Sequence, residues 1–117
     1  MLKKQYRLKN KSAFQAIYNQ RHSAHKGGVT LFAGYPKTSA DSITTVGFVV
    51  SKKTHKRAVK RNRLKRLIRE SYRLLMMENK LYTSQNYMSL IFTGHEKALD
   101  KSFAQIKETV EDLLKTI

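Results

Sequence analysis

The sequence predicts a single α+β domain. Apolar residues recur at helical spacing in some segments and alternate as in strands in others, and the two patterns follow one another along the chain. The 117 residues suffice for one modest hydrophobic core, and they contain no internal repeat, low-complexity tract or flexible linker. We therefore expect residues 1–117 to fold as one domain around one core.

The first predicted element is a short helix within residues 10–20. Phe14, Ile17 and Tyr18 stand at i, i+3 and i+4, so they share one face of a helix. Asn10 and Ser12 are alternative N-caps, because both side chains can accept a hydrogen bond from the first helical turn.

Two segments alternate as half-buried strands do. Residues 29–35 place Phe32 among small residues on one face and apolar side chains on the other. Residues 86–93 repeat the pattern, and their apolar face carries Met88, Leu90 and Phe92. The proline and polar residues of 35–42, which include Asp41, predict a loop.

The segment 44–51 predicts a strand of a different kind. It is nearly continuous in β-branched and aromatic residues, as expected of a strand covered on both faces, and we expect it to be central in the sheet. Gly47 indicates a bulge or a close approach of another element. Residues 102–117 then close the chain as an amphipathic helix, whose apolar face is Phe103, Ile106, Val110, Leu113, Leu114 and Ile117.

A strongly basic helix lies between the second and third of these strands. Residues 52–73 include eleven Lys or Arg and one acidic residue, Glu70. At 100° per residue, one arc of the helix is mostly apolar and consists of Leu64, Leu67, Ile68, Ser71 and Leu75. The opposite arc consists of Asn62, Arg66, Arg69 and Arg73, with Arg63 and Lys65 at its edges.

The charge of the whole chain indicates a polyanionic partner. Lys and Arg outnumber Asp and Glu by 24 to 8, which gives a net charge of +16 and makes nucleic acid the first partner to consider. A membrane surface is the second, but no apolar run approaches the roughly 18 residues of a spanning helix. The N-terminus has no signal-peptide core, and there is no cysteine, so we expect a soluble protein of the cytoplasm.

The basic helix itself favours binding over mere solubility. A solvated helix face usually mixes charges of both signs at i, i+4, whereas this face leaves its cations nearly unpaired and is rich in arginine, which suits bidentate phosphate contacts. Asn62 can donate and accept, as a ribose hydroxyl or base edge requires. The alternative for Asn62 is an N-cap or first-turn residue.

The sequence offers no catalytic or metal site. Two-metal phosphodiester chemistry requires clustered carboxylates, and the eight acidic residues are scattered. His22 and His25 could form a metal or acid/base pair, but no third ligand accompanies them, and ordinary surface histidines are the alternative.

Residues 47–73, GFVVSKKTHKRAVKRNRLKRLIRESYR, resemble the signature of the protein subunit of bacterial ribonuclease P. The shared elements are Ser-Lys-Lys after a strand, then Ala-Val, Arg-Asn-Arg, Lys-Arg and Arg-Glu. Residues 6–18, YRLKNKSAFQAIY, resemble the family's opening helix and its aromatic pair. The chain departs from the family at Lys56 and Arg57, where Gly-Asn often precedes Ala-Val.

The resemblance implies a specific fold and function. The fold is a small α/β sandwich of the ribosomal protein S5 domain 2-like class, ordered α-β-β-β-α-β-α, with a left-handed crossover through the Arg-Asn-Arg helix. The function is to assist removal of the 5′ leader from precursor tRNA by a ribonucleoprotein whose RNA subunit performs Mg²⁺-dependent hydrolysis. The chain itself then binds no cofactor and requires no protein partner or membrane.

The same resemblance assigns two sets of residues. The surface that holds the ribonuclease P RNA comprises Ser51, Lys52, Lys53, Lys56, Arg57, Lys60, Arg61, Asn62, Arg63, Lys65, Arg66, Arg69 and Arg73. A cleft between the first helix and the sheet receives the single-stranded leader of precursor tRNA on Phe14, Tyr18 and Phe32. Aromatic faces beside cations suit single-stranded bases, although Phe14 and Tyr18 could instead be core contacts of the helix.

Two other functions use the same basic helix. One is a structural, ribosomal-type RNA-binding protein with no role in tRNA processing. The other is a DNA-binding module with the helix in a major groove, which usually needs a symmetric partner; the sequence has no heptad seam for a dimer.

Overall fold

A computed structural model describes residues 2–20, 22–39 and 42–117. Residues 40 and 41 of the predicted loop, and with them Asp41, lie outside this part of the chain. The elements are α1 (Lys11–Asn19), β1 (His22–Lys26), β2 (Val29–Ala33), β3 (Thr45–Val49), α2 (Ala58–Met77), β4 (Ser89–Gly94) and α3 (Phe103–Thr116). Short 3-10 turns lie at Lys4–Tyr6, Tyr82–Asn86 and Glu96–Ala98. The predicted order α-β-β-β-α-β-α is confirmed.

The four strands form one sheet in the order β1-β2-β4-β3. β2 pairs antiparallel with β1 and with β4, whereas β3 and β4 are parallel neighbours. A parallel pair needs a crossover connection, and α2 supplies it. The crossover through the Arg-Asn-Arg helix is therefore confirmed, and its left-handed sense stays what the resemblance implies.

The main core lies between one face of the sheet and the two longer helices. The sheet contributes Val29, Leu31, Ala33, Val46, Phe48, Leu90 and Phe92. The helices contribute Leu64, Ile68, Tyr72, Leu75, Ile106, Val110, Leu113 and Leu114. Tyr72, which the predicted apolar arc omits, is completely buried and packs edge-on against Phe48 and Phe92 at 6.1 and 5.8 Å between ring centroids.

The helix α1 lies on the opposite face of the sheet. Asn10 is its N-cap and accepts a hydrogen bond from the backbone N–H of Ser12. Ile17 and Ile91 are buried between helix and sheet. Farther along this face, Thr30, Thr93 and Val49 are half-buried, whereas His25 on β1 is exposed.

The predicted position of β3 is wrong. It occupies an edge of the sheet rather than the centre. Its continuous apolar pattern arises because α1 covers one face of the strand and the main core covers the other. Burial of both faces does not determine whether a strand has neighbours on both edges. The outer edge of β3 is partly paired, because the N–H of Leu8 donates to the carbonyl of Val46 at 2.9 Å.

Two other expectations also need correction. Met88 does not join Leu90 and Phe92 in the core; it precedes β4 and is 45% exposed. The periodicity also gives no indication of β1. A two-residue turn joins β1 to β2, with φ of +57° at Gly27 and +84° at Gly28, as expected of a hairpin turn that requires glycine.

Gly47 allows α1 to approach the sheet. A Cβ atom at this position would lie 2.5 Å from the ring of Phe14. The close approach predicted for this glycine is thus confirmed, and the contact fixes α1 over β3.

Replacement of Gly47 by alanine should therefore destabilise the fold by about 1 to 3 kcal/mol, the usual cost of overpacking. In a Phe14→Ala background the same change should cost at least about 1 kcal/mol less, because the clashing ring is absent. Urea unfolding followed by circular dichroism measures both values. Equal costs in the two backgrounds would contradict the contact.

Candidate nucleic-acid interface

The N-terminal half of α2 concentrates positive charge where a helix is already positive. The helix begins at Ala58, and the side chain of the N-cap residue Arg57 makes no capping hydrogen bond. The first turn contains no acidic residue. Lys60 and Arg61 add two cations to that first stretch. Cations at a helix N-terminus are unfavourable in the free protein, whereas a bound anion is stabilised there. This end of α2 is thus suited to phosphate.

Most of the predicted RNA-contacting side chains point into solvent without protein partners. Within the described chain, no hydrogen bond or ion pair is made by the side chains of Lys52, Lys53, Lys56, Arg57, Asn62, Lys65, Arg66 and Arg69. Asn62 lies in the second turn of α2, so the alternative that it is an N-cap or first-turn residue is wrong.

The other predicted contacts are engaged by the protein. Arg61 donates to the carbonyls of His55 and Lys56 at 2.7 and 3.0 Å, and so braces the start of α2. Lys60 lies 3.9 Å from the exposed carboxylate of Asp100. The Ser51 hydroxyl lies 3.4 Å from that of Thr54.

Arg63 has a structural function. Its guanidinium donates to the carbonyl of Leu99 at 3.0 Å and to that of Lys101 at 3.3 Å, and it is partly buried. These bonds attach α2 to the segment that leads into α3. Arg63 is therefore not an unengaged surface cation like Arg66.

Arg73 is neutralised by the one acidic residue of the basic segment. Its guanidinium donates to the Glu70 carboxylate, with 2.9 Å between Nε and Oε1. This hydrogen bond lowers the pKa of Glu70 from its ordinary value. The uncompensated charge is therefore concentrated before Glu70, toward the N-terminus of α2.

A groove of about 320 Å³ connects the basic helix with α1. Four cations from two elements line it, and the apolar residues between them include Phe14. The lining residues are Arg7, Leu8, Lys9, Phe14, Val46, Gly47, Phe48, Lys65 and Arg69. The Arg7 guanidinium is held in place because it donates to the Leu2 carbonyl at 3.1 and 2.8 Å.

The three predicted cleft aromatics occupy one face of the sheet but two places on it. Phe14 lines the groove and rests on Gly47. Tyr18 and Phe32 lie elsewhere on that face and pack edge to face, with 4.8 Å between centroids and an angle of 83°. All three rings are half-buried, so each keeps an exposed part while it packs on the protein.

Two cations of the groove, Arg7 and Lys9, are absent from the predicted RNA-contacting residues. Arg7 and Lys9 face the cations of α2 across it. Their only sequence signal is the basic opening segment before α1, because their proximity to Lys65 and Arg69 arises from tertiary packing.

The alternative that His22 and His25 form a metal or acid/base pair is wrong. They are three residues apart on β1, so they point to opposite faces. His22 packs against the ring of Tyr87, and His25 reaches Thr30 on the α1 face. Among the described residues there is no group of three or more His, Cys, Asp or Glu that could hold a metal ion. No described helix is both long and apolar enough to cross a bilayer.

Comparison with known proteins identifies one family. Residues 2–117 match the family described as Ribonuclease P. The chain is 38% identical to the ribonuclease P protein component of Symbiobacterium thermophilum over 113 residues, which cover 96% of this chain and 90% of that protein. It is 34% identical to the ribonuclease P protein component of Clostridium kluyveri, over 94% of this chain and 92% of that one.

Solved structures show the same fold. The Staphylococcus aureus RNase P protein superposes with a TM-score of 0.74 at 29% identity, over 95% of this chain and 94% of that one. The Thermotoga maritima RNase P protein gives a TM-score of 0.74 at 21% identity, over 95% and 96% of the two chains, and supports the fold.

Arg63 and Arg66 provide a matched test of the two kinds of arginine. Arg63→Ala should lower the free energy of unfolding by about 1 to 2 kcal/mol, because two backbone carbonyls lose a charged donor. Arg66→Ala should leave it unchanged within about 0.5 kcal/mol, as for most surface substitutions. Urea unfolding of both variants measures the difference, and equal values would contradict the assignment.

Binding of the Arg66→Ala variant to a bacterial ribonuclease P RNA completes the comparison. Arg66→Ala should flatten the dependence of log affinity on log salt by about one unit if it loses one phosphate contact. An unchanged slope, measured by filter binding at several salt concentrations, would assign Arg66 to solubility alone.

Proposed function

The chain belongs to the bacterial ribonuclease P protein family, the protein component of a tRNA-processing ribonucleoprotein, and we propose that it binds the catalytic RNA with α2 and the 5′ leader of precursor tRNA on the α1 face. The observation that supports this most is the groove, where cations of the N-terminal segment and of α2 face each other beside Phe14. Family membership favours this function over a ribosomal-type or DNA-binding role.

The RNA-subunit contact is assigned to the uncompensated part of α2. The Arg-Asn-Arg segment combines the bracing of Arg61 and Arg63 with the exposed amide of Asn62. Arg61 and Arg63 are already held by backbone carbonyls, so these two side chains would lose less entropy than free arginines when phosphates bind.

The leader contact is assigned to the α1 face because it offers both requirements of single-strand binding. Half-buried aromatic rings provide stacking surfaces, and Arg7, Lys9, Lys65 and Arg69 provide a positive groove next to them. A leader that crosses this face would meet Phe14 in the groove and the Tyr18–Phe32 pair elsewhere on the face.

We assign the chemistry to the RNA subunit and its Mg²⁺. Phosphodiester hydrolysis by clustered carboxylates needs several acids at one place, and the groove is lined by none. Several described acidic residues instead pair with cations, as Glu70 does with Arg73 and Glu78 with Lys107 at 2.7 Å. The protein thus contributes binding and orientation.

The leader contact is tested in reconstituted holoenzyme. Tyr18→Ala and Phe32→Ala should each weaken precursor tRNA binding by about tenfold, since base stacking contributes roughly 1 to 3 kcal/mol per base. Mature tRNA lacks the leader, so its affinity should not change. Phe14→Ala requires a melting control first, because its ring also holds α1 on Gly47. Equal losses for precursor and mature tRNA, or no loss, would contradict the assignment.

The division of labour is tested without the RNA subunit. The purified chain in Mg²⁺ should leave precursor tRNA intact, and addition of a bacterial ribonuclease P RNA should restore cleavage at the mature 5′ end. Denaturing gels follow both reactions. Robust cleavage at that position by the RNA-free protein would overturn the assignment of chemistry to the RNA.

A further inference from the structure

The α1 face of the sheet carries a pair of histidines that the proposed function does not use. His25 of β1, Thr30 of β2, Thr93 of β4 and Val49 of β3 form one register row across all four strands. His95, which follows β4, reaches the same row. His25 is exposed and His95 is half-buried, so the pair lies at the surface of the protein.

The two imidazoles share one hydroxyl group. Thr30 Oγ1 lies 2.7 Å from Nδ1 of His25 and 2.9 Å from Nε2 of His95, and the ring centroids are 5.6 Å apart. A hydroxyl has one proton, so it can donate to only one ring, and the other ring must donate to the hydroxyl oxygen. In the uncharged cluster, therefore, one ring presents an N–H outward and the other a bare nitrogen.

One added proton changes what the cluster presents to a ligand. The proton goes to the bare outer nitrogen, so both rings then present N–H donors and the cluster carries one positive charge. Burial, and then the neighbouring His25, lowers the pKa of His95. Burial thus favours the uncharged form of His95 in the free protein, and a nearby anion favours uptake of one proton.

We propose that His25, Thr30 and His95 bind a backbone phosphate of the single-stranded leader, and that this phosphate binds together with one proton. The inference rests on the proposed leader contact. Phe32 and Thr30 lie on the same strand and face, two residues or about 7 Å apart. A base stacked against Phe32 would therefore place an adjacent phosphate within reach of the pair.

The charged side chains on the segments around the cluster are mostly Lys, Asp and Glu. Lys26, next to His25, forms an ion pair with Asp112 of α3, and the Lys101 amine donates to the Gly27 carbonyl at 2.9 Å. The same segments also carry Lys97, Glu96 and Glu108. The loop before α2, whose Thr54 hydroxyl donates to the Gly94 carbonyl at 3.5 Å, adds Lys52, Lys53, His55 and Lys56. From α1, the titratable group on this face is the phenol of Tyr18. Lys, Asp, Glu and Tyr side chains ordinarily keep one charge state between about pH 5 and 8, whereas imidazole does not, so variants of the two histidines assign the effect.

The test measures affinities of reconstituted holoenzyme for precursor and mature tRNA from about pH 5.5 to about pH 8. Ca²⁺ replaces Mg²⁺, and denaturing gels confirm that the precursor stays intact. The ratio of the two affinities isolates the leader and cancels pH effects on the rest of the RNA. In the wild type this ratio should rise about fivefold between about pH 8 and about pH 6, because the bound phosphate raises the pKa of the pair.

His25→Gln and His95→Gln should each abolish this rise, because glutamine keeps a polar group but does not titrate. His22→Gln is the matched control, since it lies on the same strand but points to the opposite face, and it should keep the rise. Should His95→Gln lower the melting temperature, the exposed His25→Gln variant decides alone.

The outcomes separate this inference from the function on which it rests. A precursor preference that is independent of pH, or a rise that both glutamine variants retain, would overturn the phosphate site and leave the leader contact standing. A wild-type holoenzyme with no precursor preference at any pH would overturn both.

Discussion

The contact between Phe14 and Gly47 determines how the rest of the molecule is arranged. Without a side chain at Gly47, the ring of Phe14 can rest on β3, and α1 follows it onto the sheet. That position brings Tyr18 against Phe32, places the N-terminal segment along the edge of β3 and creates the groove beside α2. A methyl group at residue 47 would oppose all of these at once, so the arrangement of the proposed nucleic-acid-binding face depends on a single glycine.

The position of the cationic helix α2 also depends on packing. A helix with a cationic N-terminal half gains little stability from its own electrostatics, so its position must come from packing. Leu64, Ile68, Tyr72 and Leu75 provide that packing on one side, and the hydrogen bonds of Arg63 attach the helix at its flank. Packing thereby holds unpaired cations in place, and in the proposed function RNA phosphates supply the compensating charge.

Periodicity predicts which face of a helix or strand is buried, but it does not predict which strands are neighbours in the sheet. The helical spacing of Phe14, Ile17 and Tyr18 and the alternation of β2 suffice for α1 and for the core side of the sheet, because each depends on local burial. The edge position of β3 depends on strand pairing, which its own residues do not encode. β1 escapes detection because an edge strand with the sequence HSAHK needs no apolar alternation; the Gly27–Gly28 turn is the better signal. Arg7 and Lys9 line the groove only because tertiary packing brings them close to α2. The hydrogen bonds of Arg63 also depend on tertiary packing, which the local sequence pattern does not encode.

The two edges of the sheet determine how readily a second chain could pair with it. An unpaired edge is a template on which another chain can add a strand and begin to aggregate. Here the edge of β3 is partly occupied by the chain's own N-terminal segment, and β1 presents two histidines and a lysine with little apolar surface. The residues that make β1 hard to recognise as a strand thus make it a poor partner for another copy. Both edges therefore disfavour edge-to-edge pairing between two copies of this highly charged chain.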